Sequence, residues 1–274
     1  MFRKRERMIQ VKTAEQVQLM RAAGMVVGKT LSILTGAVVP GVTTGELDAL
    51  AEAEIRGAGA VPSFKGYRPH PSVPAFPASI CASVNDEIVH GIPGARVLRE
   101  GDVVSIDCGA ILDGWHGDAA ITVAVGTVSP EAADLLSATE EAMWAGLAAA
   151  RAGGRLTDIS HAVETRARRR GAFGIVEEYG GHGIGTEMHQ EPHVLNHGRP
   201  GRGPSLVPGL VLAIEPMLTS GRRQTRELDD GWTVATVDGG LAAHFEHTVA
   251  ITRDGPWVLT ALDGGAAGLA SLGV

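Results

Sequence analysis

The chain has 274 residues, of which 44% are apolar, enough for one large domain or two small domains around an ordinary globular core. Its net charge is −7 with acidic and basic residues interspersed, a pattern that argues against a DNA-binding protein. Two cysteines, Cys81 and Cys108, form neither a C-x-x-C motif nor a disulfide framework, which is typical of a reducing compartment.

The N-terminal residues 1–11 are basic at their tip, but the apolar region of a signal peptide does not follow. We predict a flexible tail here. A second interpretation is an arm that contacts ribosomal RNA, because clusters of like charge can bind nucleic acid, and such an association with the ribosome would be transient. No run of residues reaches the length of a membrane span, and so we expect a soluble, cytoplasmic protein without a membrane partner.

Capping signals predict four helices in two pairs. The first pair begins at the capping boxes of Thr13 and Thr43. The second pair begins after Ser129, where a proline occupies the first helical position, and at Thr157. Each pair precedes sequence that is rich in predicted strands.

The two helix pairs resemble each other, with Leu47 corresponding to Ile159 and Ala51 to Val163. We interpret this as an internal duplication that makes two α+β halves, residues 12–127 and 128–262, of a single domain. Chance similarity of two amphipathic helix pairs is the alternative. Residues 263–274 are rich in glycine and alanine, and we predict a disordered tail.

A β-hairpin is predicted around the two-residue turn Asp113-Gly114, since both turn positions tolerate positive φ. With this turn, Gly109 faces Asp118 across the hairpin, and Asp107 lies on the same face as Gly109. Asp107 and Asp118 are then diagonal neighbours in a buried sheet. Two such carboxylates repel unless one is protonated or cations lie between them, so the pattern favours a metal site. The alternative, that each aspartate is a solvated turn residue, suits Asp113 but not Asp107 in its apolar run.

The second half adds three ligand-type residues: His182 among glycines, Glu215 at the end of an apolar strand, and Glu246 within another strand. A glutamate in a core strand is costly unless it is paired or bound to a metal, although an edge strand would let Glu246 face water. Four carboxylates and one imidazole can hold two divalent cations that activate a water molecule.

Two further histidines, His90 and His189, lie in loops with glycine and proline, where they could donate hydrogen bonds to a developing oxyanion. Singly, such a histidine is more often a surface or core residue. Competing chemistries find no support, because the G-x-S-x-G, H-E-x-x-H and P-loop motifs are absent from the sequence.

Six motifs in order resemble those of the type I methionine aminopeptidases, over residues 12–251. They are N-D-E-I-V-H-G-I-P (85–93), S-I-D-C-G-A (105–110), D-G-W-H-G-D (113–118), G-H-G-I-G-x-x-x-H-x-x-P (181–192), I-E-P-M (214–217) and F-E-H-T (245–248). The resemblance implies an α+β fold of the pita-bread (creatinase/aminopeptidase) type, with two pseudo-symmetric halves around a dimetal site.

The resemblance also assigns the metal ligands. Asp107 and Asp118 match the two aspartates, with Asp118 bridging; His182 and Glu215 match ligands of one metal; and Glu246 matches the second bridging carboxylate. The implied cofactor is two divalent metal ions, which the ligand types leave open as Co, Mn, Fe or Zn. Glu215 would also take part in proton transfer.

The remaining implied site residues bind the substrate. His90 and His189 match the histidines that contact the substrate near the scissile amide, and both are expected to be catalytic. The methionine pocket is expected to be lined by Tyr67, Phe76, Cys81 and Trp232.

Three features depart from the family pattern. Residues 68–75 look like an insertion in the pocket loop, which puts the positions of Tyr67 and Phe76 in doubt. Met188 replaces a common aromatic residue, and His244 replaces a common glutamine. The interval between His189 and Glu215 is too short for the helical insertion of the type II enzymes.

The expected function is removal of the N-terminal methionine from peptides and nascent chains, with a small second residue preferred, by a monomer. One alternative is an Xaa-Pro aminopeptidase or prolidase-like peptidase with the same ligands, which normally has a large additional N-terminal domain. A second alternative is a non-catalytic binding protein of the same fold that acts on ribosomes or RNA. Loss of ligands would mark that protein, and all five are present here.

Overall fold

A computed structural model describes residues 8–273 of the chain. Within them lie five helices, which are α1 (Ala14–Ala37), α2 (Thr44–Gly57), α3 (Pro130–Ala149), α4 (Leu156–Arg170) and α5 (Ala266–Ala270). The predicted helix starts are confirmed: Thr13 and Thr43 each form a complete capping box, and Ser129 caps α3. Helix α4 begins one residue before Thr157, after Arg155.

The strands of the described residues are short, apart from the two strands of the predicted hairpin. They are β1 (Val61–Pro62), β2 (Ile80–Val84), β3 (Glu87–Val89), β4 (Val103–Leu112), β5 (Trp115–Ala124), β6 (Gly174–Ile175), β7 (Gly181–Gly183), β8 (Gln190–Val194), β9 (Val211–Ile214), β10 (Met217–Thr219), β11 (Thr225–Glu227), β12 (Val234–Thr236), β13 (Ala242–His244), β14 (Glu246–Ile251) and β15 (Pro256–Val258).

The main sheet has nine strands, with the order β1-β4-β5-β14-β9-β7-β8; β2 also pairs with β4, and β15 with β14. Two three-stranded sheets, β13-β10-β6 and β11-β12-β3, complete the β-structure of the described chain. The central strands β5, β14 and β9 come from both halves of the sequence. The main sheet therefore joins the two halves into one body.

The hairpin has the predicted register, with Leu112 opposite Trp115 and Gly109 opposite Asp118. Asp113 and Gly114 both have positive φ, at 50° and 81°, as a two-residue turn of this kind requires. Asp113 is exposed, which agrees with its interpretation as a solvated turn residue.

Each helix pair covers its own apolar cluster. Helices α1 and α2 pack on the cluster that contains Leu47 and Ala51, and α3 and α4 pack on the cluster that contains Ile159 and Val163. All four of these side chains are fully buried. Burial of one stripe on each helix against the sheet is what their apolar spacing predicts.

Helix α1 corrects one expectation, since by length and composition it could cross a membrane. Half of the most apolar stretch of this helix is buried inside the molecule. Its Met20, Val27 and Leu31 are core residues, with at most 4% of their surface exposed. A buried core helix of a globular domain can have the same length and composition as a membrane-spanning helix. The composition of α1 therefore does not distinguish between these two kinds of helix.

Described parts of both predicted tails pack against the body of the protein. The disordered C-terminal tail is wrong for residues 263–273, because α5 forms there and Leu269 is buried in the α3–α4 cluster. Residues 1–7 of the predicted N-terminal tail lie outside the described residues. Val11 is held to the body of the protein by a β-bridge to Leu210.

Candidate metal and substrate site

Strand register places four residues in one line across the main sheet. Cys81 on β2 pairs with Asp107 on β4, Asp107 pairs with Ala120 on β5, and Ala120 pairs with Glu246 on β14. Directly paired residues in antiparallel strands point to the same face. Asp107 and Glu246 thus flank the small side chain of Ala120, which leaves space above it.

A second line of residues lies two positions away along the strands and therefore on the same face. It contains Asp118, whose backbone exchanges hydrogen bonds with the Thr248 hydroxyl, at 3.3 Å for the donating N–H and 2.7 Å for the accepting carbonyl. Thr248 pairs with Ala213, and Ala213 pairs with His182 on β7. Glu215 follows β9 two residues after Ala213.

These side chains converge closely. One ligand atom each from Asp118, His182 and Glu246 lie within 4.8 Å of one another. The Nε2 of His182 is 3.5 Å from Oε1 of Glu215, and the Nε2 of His244 is 3.6 Å from Oε2 of the same glutamate. The structure therefore gathers the five predicted metal ligands around one cavity, and His244 joins them from β13 of a three-stranded sheet.

Unpartnered polar atoms concentrate at this site. Five buried side-chain polar atoms of residues 8–273 have no hydrogen-bond partner, and four of them belong to Asp107, Asp118, His244 and Glu246. A buried carboxylate oxygen without a partner is costly unless a cation neutralises it. Oxygen and imidazole nitrogen ligands suit divalent cations, so the donor set fits a metal site.

The electrostatics point the same way. Burial, followed by the charge of neighbouring carboxylates, raises the pKa of Asp118 and of Glu246 well above the usual range. Burial likewise raises the pKa of Asp107, to about 7. Burial also acts to raise the pKa of Glu215, but contact with His244 and the nearby His182 outweigh it, so the pKa lies below its ordinary value. The protein groups alone do not neutralise the negative charge of three of the four carboxylates, those of Asp107, Asp118 and Glu246.

Glu246 does not face water on an edge strand, and that alternative is wrong. Strand β14 lies inside the main sheet, between β5 and β9, and Glu246 is 2% exposed. Since no cationic side chain is paired with Glu246 in the described structure, a metal remains the best explanation for its burial.

His90 lines the same cavity as the carboxylates and comes directly after β3, with φ of 61°. A positive φ is uncommon for a residue with a side chain and is typical of functional positions that the surrounding structure holds in place. Its ring packs edge-on against Tyr179 and Trp232. Burial lowers the pKa of His90 to about 4, so the imidazole is neutral at neutral pH.

His189 precedes β8 and stacks edge-on against His182, with ring centroids 4.4 Å apart. The surrounding protein, and next His182, lower the pKa of His189, although the residue is exposed and solvent weakens both effects. The Tyr67 hydroxyl lies 2.8 Å from its Nδ1. His189 is thus a neutral ring at the rim of the cavity.

A cavity of about 470 Å³ opens beside the carboxylates and the two histidines. All four predicted pocket residues line it: Tyr67, Phe76, Cys81 and Trp232. The rings of Phe76 and Trp232 meet edge to face, with centroids 5.1 Å apart. The cavity therefore combines an apolar aromatic wall with a polar metal-type wall.

The apparent insertion at 68–75 does not displace Tyr67 and Phe76. The loop is closed at its base, where the Gly66 N–H donates to the Phe76 carbonyl at 2.8 Å and the Phe76 N–H donates to the Tyr67 carbonyl at 2.9 Å. On its far side, Trp232 Nε1 donates to the Pro74 carbonyl at 3.1 Å. Of the additional residues, Pro69 also lines the cavity.

Comparison with known proteins now gives the family. Residues 18–253 match the model of metallopeptidase family M24. The chain belongs to metallopeptidase family M24. It is 55% identical to methionine aminopeptidase 1 of Mycobacterium tuberculosis, over 93% of this chain and 96% of that protein. It is 49% identical to methionine aminopeptidase 1 of Bacillus subtilis, over 92% of this chain and 99% of that protein.

Solved structures agree with this membership. The methionine aminopeptidase of Rickettsia prowazekii is similar with a TM-score of 0.88 and 39% identity, over 92% of this chain and all of that one. The prolidase of Pyrococcus furiosus, at 21% identity and a TM-score of 0.71, shares the fold, and this chain covers 65% of it. The predicted pita-bread fold, type I methionine aminopeptidase membership and metallopeptidase class are confirmed.

Several residues around the M24 site were missed from the sequence. Phe64 and Tyr179 line the cavity and were not singled out from the sequence, whereas Met188 and His244, which also line it, were noted there as departures from the family pattern. His116 lies two residues before Asp118, hence on the same sheet face, and its Nδ1 is 3.0 Å from the Ser63 hydroxyl. That pairing joins distant segments and has no sequence signature.

Proposed function

We propose that this chain removes the N-terminal methionine from peptides and nascent chains, with a small second residue preferred. The observation that carries the proposal is one sheet face that places five metal-type ligands beside an aromatic cavity. The chain's similarity to the methionine aminopeptidases of Mycobacterium tuberculosis and Bacillus subtilis over nearly its whole length supports it.

We propose that Asp107, Asp118, His182, Glu215 and Glu246 hold two divalent cations, with Co, Mn, Fe and Zn as candidates. The orphaned carboxylate oxygens and the raised pKa values of three carboxylates support this assignment. Bound cations of this kind polarise a carbonyl and make hydroxide available from water at neutral pH.

Glu215 is proposed as the group that moves the proton. Its carboxylate is ionised at neutral pH, because the pKa lies below its ordinary value. An ionised Oε can accept a proton from the attacking water and return it to the departing amine. His90 and His189, as neutral imidazoles, are proposed to donate hydrogen bonds to the substrate near the scissile amide, where negative charge develops on oxygen.

The aromatic wall is proposed to bind the methionine side chain. A flexible thioether makes favourable contacts with aromatic ring edges, and Phe76 and Trp232 present such a corner. Tyr67 and Cys81 complete the proposed pocket. Since Cys81 shares a register line with Asp107, methionine bound there would place its peptide bond next to the carboxylates.

The experiment compares Met-Ala-Ser with Xaa-Pro-Ala peptides, using chelator-treated protein and a series of added divalent metals. Turnover of Met-Ala-Ser that chelation abolishes and metal restores is expected. Preferred turnover of Xaa-Pro-Ala would favour the prolidase-like alternative. Binding without turnover under every metal would favour a non-catalytic protein, and full activity in protein shown by elemental analysis to be metal-free would refute the metal mechanism.

We further propose a cytoplasmic monomer that contacts ribosomes transiently through its basic N-terminus. The sequence of residues 1–7 supports the contact. Light scattering tests the monomer. Cosedimentation with ribosomes, compared between the full chain and a variant without residues 1–7, tests the contact, and equal cosedimentation would contradict it.

A further inference from the structure

A tyrosine of the aromatic wall touches His189. The Tyr67 hydroxyl oxygen lies 2.8 Å from Nδ1 of His189, within hydrogen-bond distance. The two rings are tilted by 59°, with centroids 5.5 Å apart. This contact joins residues that are far apart in sequence and links the methionine wall to the amide side of the cavity.

Tyr67 is held by its backbone rather than by His189. Its N–H donates to the Phe64 carbonyl at 2.8 Å, and its carbonyl accepts from the Phe76 N–H at 2.9 Å. Phe76 in turn packs against Trp232. The backbone of Tyr67 is therefore held at the aromatic wall, and its phenol reaches His189 from there.

The chemistry of the pair sets the direction of the hydrogen bond. A neutral imidazole carries one proton, on either Nδ1 or Nε2, and the contact that one nitrogen makes decides which. A phenol hydroxyl donates readily, and an unprotonated imidazole nitrogen is a good acceptor. Donation from Tyr67 to Nδ1 leaves the proton on Nε2, where it is available to a group in the cavity.

We propose that Tyr67 is a positioning residue that holds His189 in the tautomer with its proton on Nε2. The inference rests on the proposed function, in which His189 donates a hydrogen bond to the substrate. It assigns Tyr67 a role beyond lining the pocket. The aromatic wall then controls the orientation of His189 and determines which of its ring nitrogens donates a hydrogen bond.

The kinetic test is a double-mutant cycle of Tyr67→Phe and His189→Ala on Met-Ala-Ser. Tyr67→Phe keeps the ring and removes the hydroxyl, and we expect kcat to fall about threefold to tenfold, the worth of one partly exposed hydrogen bond, with KM nearly unchanged. In the His189→Ala background the same change should have no further effect on kcat.

The matched control is Ser72→Ala. It removes a hydroxyl from the same loop. That hydroxyl is also 2.7 Å from a histidine Nδ1, that of the exposed His70, which does not line the cavity. Its kinetics should equal those of the parent. A Tyr67→Phe effect of equal size in both His189 backgrounds, or an effect on KM alone, would overturn the positioning role.

A second measurement does not depend on turnover. Nitrogen-15 NMR of the His189 ring distinguishes protonated from unprotonated nitrogens. The parent should show an unprotonated Nδ1, and Tyr67→Phe should show a mixture of tautomers. A proton on Nδ1 in the parent would overturn the inference. If the protein cleaved no peptide, the proposed function would fail, while this spectrum would still decide the tautomer.

Discussion

Replacing Asp107 by asparagine should stabilise the metal-free protein and, at the same time, weaken metal binding. Burial raises the pKa of Asp107 from an ordinary 3.8 to about 7. Between these values the folded protein binds a proton that the unfolded chain has released, so the free energy of unfolding falls as the pH rises. Above pH 7 both states are ionised, and the loss is complete.

The magnitude follows from the size of the pKa change. About three pH units, at about 1.4 kcal/mol for each, give a cost of about 4 kcal/mol at pH 8. Asparagine has nearly the same shape and is never ionised. Asp107→Asn should therefore exceed the parent in stability by about 1–2 kcal/mol at pH 5 and by about 4 kcal/mol at pH 8, both in chelator.

The assay is urea denaturation at the two pH values, with and without a saturating divalent metal. With metal at pH 8 the parent should become the more stable of the two proteins. Metal stabilises the parent by binding its folded state, whereas the variant lacks one ligand. Asp113→Asn is the matched control. It makes the same change at the exposed turn of the same hairpin, where positive φ also suits asparagine.

Three results would contradict the reasoning. A stability difference between parent and Asp107→Asn that does not grow from pH 5 to pH 8 would show that the carboxylate is not held at a raised pKa. A variant less stable than the parent in chelator at pH 8 would show that Asp107 stabilises the fold through its charge. Equal metal occupancy in both proteins would remove Asp107 from the ligand set.

Three further outcomes are expected. Glu215→Gln should fold normally but lose about 10²–10⁴-fold in kcat on Met-Ala-Ser at saturating metal, because the amide cannot accept a proton; near-parental kcat at verified occupancy would leave Glu215 only a structural role. Gly24→Ala should destabilise the protein by about 1–3 kcal/mol in urea, because the added methyl would overlap the Leu259 carbonyl. By contrast, Gly36→Ala in the same helix meets nothing within 4 Å and should be neutral or stabilising by about 0.5–1 kcal/mol; similar losses for both would refute the packing argument. Met-Ala peptides should be cleaved much faster than Met-Trp peptides, and comparable turnover would show that the second residue is not selected by size.

Local chemistry determined much of this protein in advance. The capping boxes at Thr13 and Thr43 and the turn at Asp113 involve residues within a few positions of each other, and each formed as predicted. The hairpin register followed from the turn alone, and with it the shared face of Asp107 and Asp118. Such features are readable because the interacting groups are neighbours in the chain.

Only the tertiary structure decided which strands pair with one another and which distant side chains come into contact. Strands β2 and β3 are adjacent in sequence, yet β2 pairs with β4, and β3 pairs with β12 from the other half. Glu246 reaches the line of Asp107 only because β14 pairs with β5. The same holds for the contact of Tyr67 with His189 and for the burial of Leu269 in α5. These arrangements depend on which apolar faces pack together across the whole chain, and no pattern within a single segment encodes that choice.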